Sequence, residues 1–106
     1  WTFDELMSTG EAAYAKNCAA CHQPNGEGLP PTFPALKGSP IALGDIADHI
    51  DIVLNGSQKN PAMAAFGPQL SEVDIAAIIT YERNAWGNNM GDMVTPVDIL
   101  NLKAGQ

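Results

Sequence analysis

The feature that most constrains this chain is the cluster Cys18-Ala19-Ala20-Cys21-His22, which contains both of its cysteines. A thioredoxin-like redox pair would need a preceding strand and a βαβ context, and no such pattern is present. A zinc half-site would need a further pair of soft ligands, and only His49 is left as a histidine. A structural disulfide between the two thiols would close too short a loop to stabilise much.

The same cluster fits a fourth chemistry, the Cys-x-x-Cys-His signature of c-type haem attachment. At the end of a helix, this spacing lets two thiols form thioethers to the porphyrin while the adjacent imidazole reaches the iron. We therefore expect Cys18 and Cys21 to hold one covalent haem c and His22 to bind its iron.

The N-terminal sequence favours a helix that leads into the cluster. It is predicted over about 3–17, with Thr2 and Glu5 placed as a capping box. Gly10 suggests a possible break inside it. Such a helix would end directly before Cys18.

Three further helices are predicted. The second covers about 45–55 and has apolar residues on one face, namely Ile46, Ile50, Val53 and Leu54. The third begins after a Ser71 cap and is ended by Gly87, and a short closing helix covers about 95–102. No alternating strand pattern competes, so the predicted class is all-α.

Length and charge limit the organisation and the partners. At 106 residues, the chain is expected to be a single domain over 1–106. Five basic against 12 acidic residues give a net charge of −7, which disfavours nucleic acid and anionic lipid surfaces. The longest clear apolar run, 75–79, is too short to cross a bilayer. The start at Trp1 lacks a leader pattern, so we expect a removed signal peptide or a piece of a larger chain.

If His22 binds the iron, the sixth position needs a second ligand. The candidates are Met7, Met63, Met90, Met93 and His49. Met63 lies 41 residues after His22, in the Pro-bounded loop 60–68, which can wrap one face of a haem. We expect the other methionines to fill gaps in the core, and His49 to lie at a helix interface.

The loop after the motif is expected to support the proximal histidine. The Pro-rich stretch 29–36 is close enough to supply a carbonyl to the second ring nitrogen of that histidine. Gly26 and Gly28 would let the backbone pass close to the porphyrin, and Phe33 and Leu36 could wall it.

In the order of these motifs the chain resembles the class I c-type cytochromes. The resemblance matches Cys18 and Cys21 to the thioether cysteines, His22 to the proximal ligand and Met63 to the distal ligand. It matches Pro34, 12 residues after His22, to the proline whose carbonyl accepts a hydrogen bond from the ligand histidine.

The resemblance also implies a fold. This is the small class I cytochrome c fold, with helices wrapped around one haem, a core over about 8–87 and a C-terminal extension over 88–106. Gly10 and Tyr14 match the first-helix residues that meet the last helix, with Tyr81 as the expected partner.

A closer resemblance is to the cytochrome c domain at the C-terminus of bacterial cytochrome c oxidase subunit II, through stretches 33–39, 76–88 and 92–103. It implies a domain that is not an enzyme by itself, at the periplasmic side of the inner membrane. The membrane attachment would lie in parts of the subunit outside these residues. The implied donor is a cytochrome or a quinol-oxidising complex, and the implied acceptor is a copper-centre domain. The alternatives are a free periplasmic electron carrier, or a haem-based gas-binding or peroxidase-like module.

Overall fold

The computed structural model describes residues 2–19, 26–28, 38, 44, 46–56 and 70–104, and this part of the chain forms four helices without a strand. In chain order they are α1 (Phe3–Asn17), α2 (Ile46–Asn55), α3 (Glu72–Asn84) and α4 (Pro96–Ala104). The all-α prediction is confirmed. None of these helices combines the length and the apolar character needed to cross a membrane. Helices α1, α2 and α4 each pack against α3.

Helix α1 begins at the predicted capping box. The Thr2 hydroxyl accepts a hydrogen bond from the Glu5 amide at 3.1 Å, and the Glu5 carboxylate accepts one from the Thr2 amide at 2.9 Å. The break expected near Gly10 is wrong, because α1 runs unbroken to Asn17. A glycine inside a helix costs about 1 kcal/mol relative to alanine, and burial of Gly10 against α3 offsets that cost.

The apolar core lies between α2, α3 and α4. Its buried members are Ile50, Val53, Leu54, Ile75, Ala76, Ile79, Val94 and Ile99. The predicted apolar face of α2 is confirmed. Helix α4 has the predicted start, since the Thr95 amide donates to the Asp98 carboxylate at 2.9 Å, but it ends two residues later than predicted. Val94 and Ile99 show that residues beyond 88 contribute to this core.

Helix α3 is the central element, because it is buried on all sides rather than on one face. Six consecutive residues, 75–80, are buried. The helix has Ser71 as its N-cap, and the Ser71 hydroxyl accepts a hydrogen bond from the Asp74 amide at 3.2 Å. It ends at Asn84, before the predicted stop at Gly87. The cause is local, since Ala85 is extended and Trp86 has a φ of +58°, so helical geometry cannot continue.

Candidate functional site

The first cysteine of the motif lies at the end of α1. Cys18 is the C-cap residue, and its amide donates to the Tyr14 carbonyl at 2.8 Å. The position of this half-buried thiol is therefore fixed by the position of α1. The other predicted site residues, Cys21, His22, Pro34 and Met63, lie outside the described residues.

A glycine brings α1 into direct contact with the backbone of α3. A Cβ placed on Gly10 would lie 2.8 Å from the Cβ of Tyr81 and nearer still to the Ala77 carbonyl oxygen. Real Cβ atoms essentially never approach so closely, so only glycine fits at this crossing. The predicted meeting of Gly10 with the last core helix is confirmed.

Three aromatic rings pack around the same crossing. The ring centroids of Tyr14 and Tyr81 are 5.6 Å apart, and Trp86 lies 5.1 Å from Tyr14 and 5.4 Å from Tyr81. These are favourable distances for tilted aromatic pairs. Burial raises the pKa of both tyrosines, so they stay neutral at physiological pH. The predicted pairing of Tyr14 with Tyr81 is confirmed.

Trp86 is not among the predicted site residues, yet it connects this cluster to Gly26, after the motif. Gly26, buried and with a φ of +72°, lies against the indole, since a Cβ there would be 2.5 to 2.7 Å from three ring atoms of Trp86. The sequence predicts that this glycine allows close approach of the backbone to the porphyrin. Its close neighbour here is the indole. The sequence signal for Trp86 is its place directly before Gly87, which is the predicted end of the third helix.

A buried hydrogen-bonded pair of side chains joins α2 to α3. His49 Nε2 lies 2.7 Å from Glu82 Oε1, and the two side chains are only 3% and 5% exposed. The prediction of an interfacial histidine is confirmed. In the described part of the chain, His49 Nδ1 is buried without a hydrogen-bond partner.

Arg83 ties α3 to two other segments. Its Nε and Nη2 donate to the two carboxylate oxygens of Asp92, at 3.0 and 2.8 Å. Its Nη1 donates to the Gly44 carbonyl at 2.8 Å. The hydrogen bonds from the guanidinium lower the pKa of Asp92, despite the partial burial of that carboxyl group.

Asn88 makes a second bridge nearby. Its Nδ2 donates to the Glu82 carbonyl at 2.7 Å, and its Oδ1 accepts from the Gly38 amide at 2.8 Å. Gly38 is 50 residues earlier in the chain, between the motif and α2. The segment after α3 is therefore hydrogen-bonded to Gly38, which follows the motif in the sequence.

Two of the methionines expected to fill gaps in the core do not do so. Met90 and Met93 are 42% and 40% exposed, so neither fills a gap in the core. Met7 is partly buried on α1.

An all-helical domain with a Cys-x-x-Cys-His motif at the end of a first helix, which crosses a central helix at a glycine, is a small c-type cytochrome domain. A family model described as "Cytochrome C oxidase, cbb3-type, subunit III" matches residues 5–81. The chain belongs to this cytochrome c family, whose cofactor is covalently bound haem c.

Relatives of two kinds match this chain. It is 30% identical to the cytochrome c subunit of alcohol dehydrogenase (quinone) from Gluconobacter oxydans, over 91% of the chain and 22% of that protein. It is 33% identical to the gluconate 2-dehydrogenase cytochrome c subunit of Pantoea cypripedii, over 97% of the chain and 25% of that protein. It is 34% identical to cytochrome c-552 of Thermus thermophilus, over 77% of the chain and 71% of that protein. The chain thus spans about a quarter or less of the dehydrogenase subunits.

The described residues fit haem c. The Cys18 thiol lies at the end of α1, where the attachment motif was predicted to begin. Cytochrome c domains of this family are electron carriers and not enzymes by themselves. Domains of this family are typically extracytoplasmic.

Proposed function

We propose that this domain transfers single electrons through a haem c attached at Cys18 and Cys21, with His22 and Met63 as the axial ligands. The observation that carries the proposal is the motif at the end of α1, a helix fixed by its backbone contact with α3. The bound haem supplies a reversible ferric–ferrous couple, and a filled sixth position favours electron transfer over ligand binding.

The surroundings of the other candidate ligands support Met63. Met90 and Met93 are exposed at the surface, and His49 Nε2 is held in a buried pair with another helix. Met7 is on α1 itself, about 16 Å along the helix axis from Cys18 at 1.5 Å per residue. It is too far from the attachment point to face the iron.

The ligand assignment is tested by Met63→His, with Met90→His as the matched control at an exposed site. Replacing a thioether by an imidazole lowers the midpoint potential and removes the sulfur-to-iron charge-transfer band. The control is expected to change neither. Retention of both signals in Met63→His would show that Met63 is not the ligand. Rapid carbon monoxide binding to the ferrous protein would instead favour a gas-binding module.

We further propose that the domain is the electron-input part of a terminal oxidase. It would receive electrons from a cytochrome or a quinol-oxidising complex and pass them to a copper-centre domain. Its place would be the extracytoplasmic side of the membrane, with attachment through other parts of the protein. The family description names an oxidase subunit, and two of the relatives are subunits of larger enzymes. The net charge of −7 also suits a tethered acceptor, since tethering replaces electrostatic recruitment.

A free carrier is the second candidate, because the chain covers 71% of cytochrome c-552 of Thermus thermophilus. Flash reduction of the haem in native membranes, followed by its oxidation by the acceptor, distinguishes the two. A fused domain is re-oxidised in a first-order step that is insensitive to ionic strength. A free carrier gives a rate that changes with its concentration and with salt. The second result would refute the oxidase proposal.

A further inference from the structure

Three glycines between the attachment motif and α2 are held by the end of α3 and the turn after it. They are Gly26, Gly38 and Gly44, and their respective partners are Trp86, Asn88 and Arg83. The three partners lie within six residues of one another, whereas the glycines are spread over 19 residues. One short segment therefore contacts three described glycines that are well separated in the sequence between the motif and α2.

We propose that Asn88 and Arg83 are positioning residues for the proximal side of the haem: by fixing Gly38 and Gly44, they fix the stretch that supports the His22 imidazole. This inference rests on the proposed function, since it takes His22 as the axial ligand. It adds residues remote from the motif that set how the ligand is held.

The Asn88 carboxamide is suited to this role because both its ends are used. One end donates to a carbonyl of α3, and the other accepts from the Gly38 amide. The backbone around it is fixed in an unusual shape, with positive φ at Trp86, Gly87 and Asn89. A non-glycine residue in this region costs of order 1 kcal/mol or more, and such strain persists only where the surroundings fix it.

Arg83 provides the second point of attachment. The side chain is 3% exposed, and its guanidinium is oriented by the bidentate pair of hydrogen bonds to the Asp92 carboxylate. That leaves Nη1 directed at the Gly44 carbonyl. Charge-assisted bonds of this kind are about twice as strong as neutral ones, and the fork has a fixed geometry. A lysine ammonium has all its donors on one nitrogen, so it could pair with Asp92 but could not reproduce the geometry of these three bonds.

Chain length connects these contacts to His22. Gly26 is four residues after His22, and Gly38 is four residues after Pro34. Four residues span at most about 14 Å, so the two held glycines limit where the stretch between them can go. A carbonyl of this stretch is the expected acceptor for the second ring nitrogen of His22. That bond orients the ring and sets its basicity as a ligand.

The test uses Asn88→Ala in the haem-loaded protein, with Asn101→Ala as control. Asn101 is an exposed asparagine on α4, so the control removes the same group at a surface site. Loss of one hydrogen bond, worth about 1 kcal/mol, should speed exchange of the Gly38 amide roughly fivefold. The haem-methyl hyperfine shifts of the ferric protein and its midpoint potential should change together. The control should leave all three unchanged.

Arg83→Lys gives an independent measurement through Gly44, and it serves if Asn88→Ala does not fold. It should change the haem-methyl shifts in the same way. The proposal is overturned if Gly38 exchange is unaffected, or if it accelerates while the shifts and the potential match the control. Failure of the proposed function would be seen in a different measurement. If His22 were not the axial ligand, its ring protons would be absent from the hyperfine-shifted signals of the unmodified protein.

Discussion

Replacement of Gly10 by alanine tests the helix crossing, because two effects of opposite sign compete at this position. Alanine favours a helix over glycine by about 1 kcal/mol, so propensity alone predicts a more stable protein. The structure predicts the reverse, because the new methyl group would meet the Ala77 carbonyl and the Tyr81 Cβ. Neither group can rotate away as the end of a flexible side chain could.

The magnitude follows from the kind of clash. Overpacking a well-packed site typically costs about 1 to 3 kcal/mol, and a clash with backbone belongs at the upper end. After the gain in propensity is subtracted, Gly10→Ala should be less stable by about 1 to 2 kcal/mol. For a domain of this size that is a fall in Tm of roughly 5 to 10 °C.

Urea unfolding of the haem-loaded ferric protein, followed by far-UV circular dichroism, measures this difference. Ala15→Gly is the matched control, since Ala15 is an exposed position of the same helix. It should lose about 1 kcal/mol through propensity alone. If Gly10→Ala instead gained stability, the close approach of α1 to α3 would be refuted.

Two further predictions concern polar groups near the end of α3. Thr80→Val removes the hydroxyl that accepts from the buried Val94 amide at 2.9 Å. Leaving that amide unpaired should cost about 1 to 3 kcal/mol in urea unfolding. Asp92→Asn should flatten the acid limb of a plot of stability against pH. Because Arg83 lowers the pKa of folded Asp92, this contribution is present above the unfolded value of about 3.9 and is lost as pH falls through the folded value.

Local sequence signals predicted the helices well, because each depends on neighbours in the chain. The capping box at Thr2 involves residues three apart, and so does the cap at Ser71. The apolar face of α2 follows from a spacing of three and four residues. Such patterns are readable without knowing what the helix packs against.

The remaining features depend on contacts between distant residues. His49 and Glu82 are 33 residues apart, and nothing local marks either as half of a buried pair. The positive φ of Trp86 arises where α3 ends and the indole turns toward Tyr14 and Gly26. The continuity of α1 through Gly10 could not be predicted for the same reason. It is explained by the close contact of this glycine with α3, which is distant in the sequence.

Two adjacent residues near the end of α3 form hydrogen bonds with α2 and with segments before and after α3. The side chain of Glu82 holds His49 of α2, and its carbonyl accepts from Asn88. The next residue, Arg83, holds Asp92 and Gly44. Apolar packing of α3 stabilises the fold without fixing direction, whereas these bonds have defined donors and acceptors. Because Glu82 and Arg83 lie in one turn of helix, the effects of substitutions at these two residues on stability should be coupled rather than additive. The central helix therefore has two roles: its apolar residues form part of the core, and its last turn is hydrogen-bonded to α2, to Gly44 and to the segment after α3.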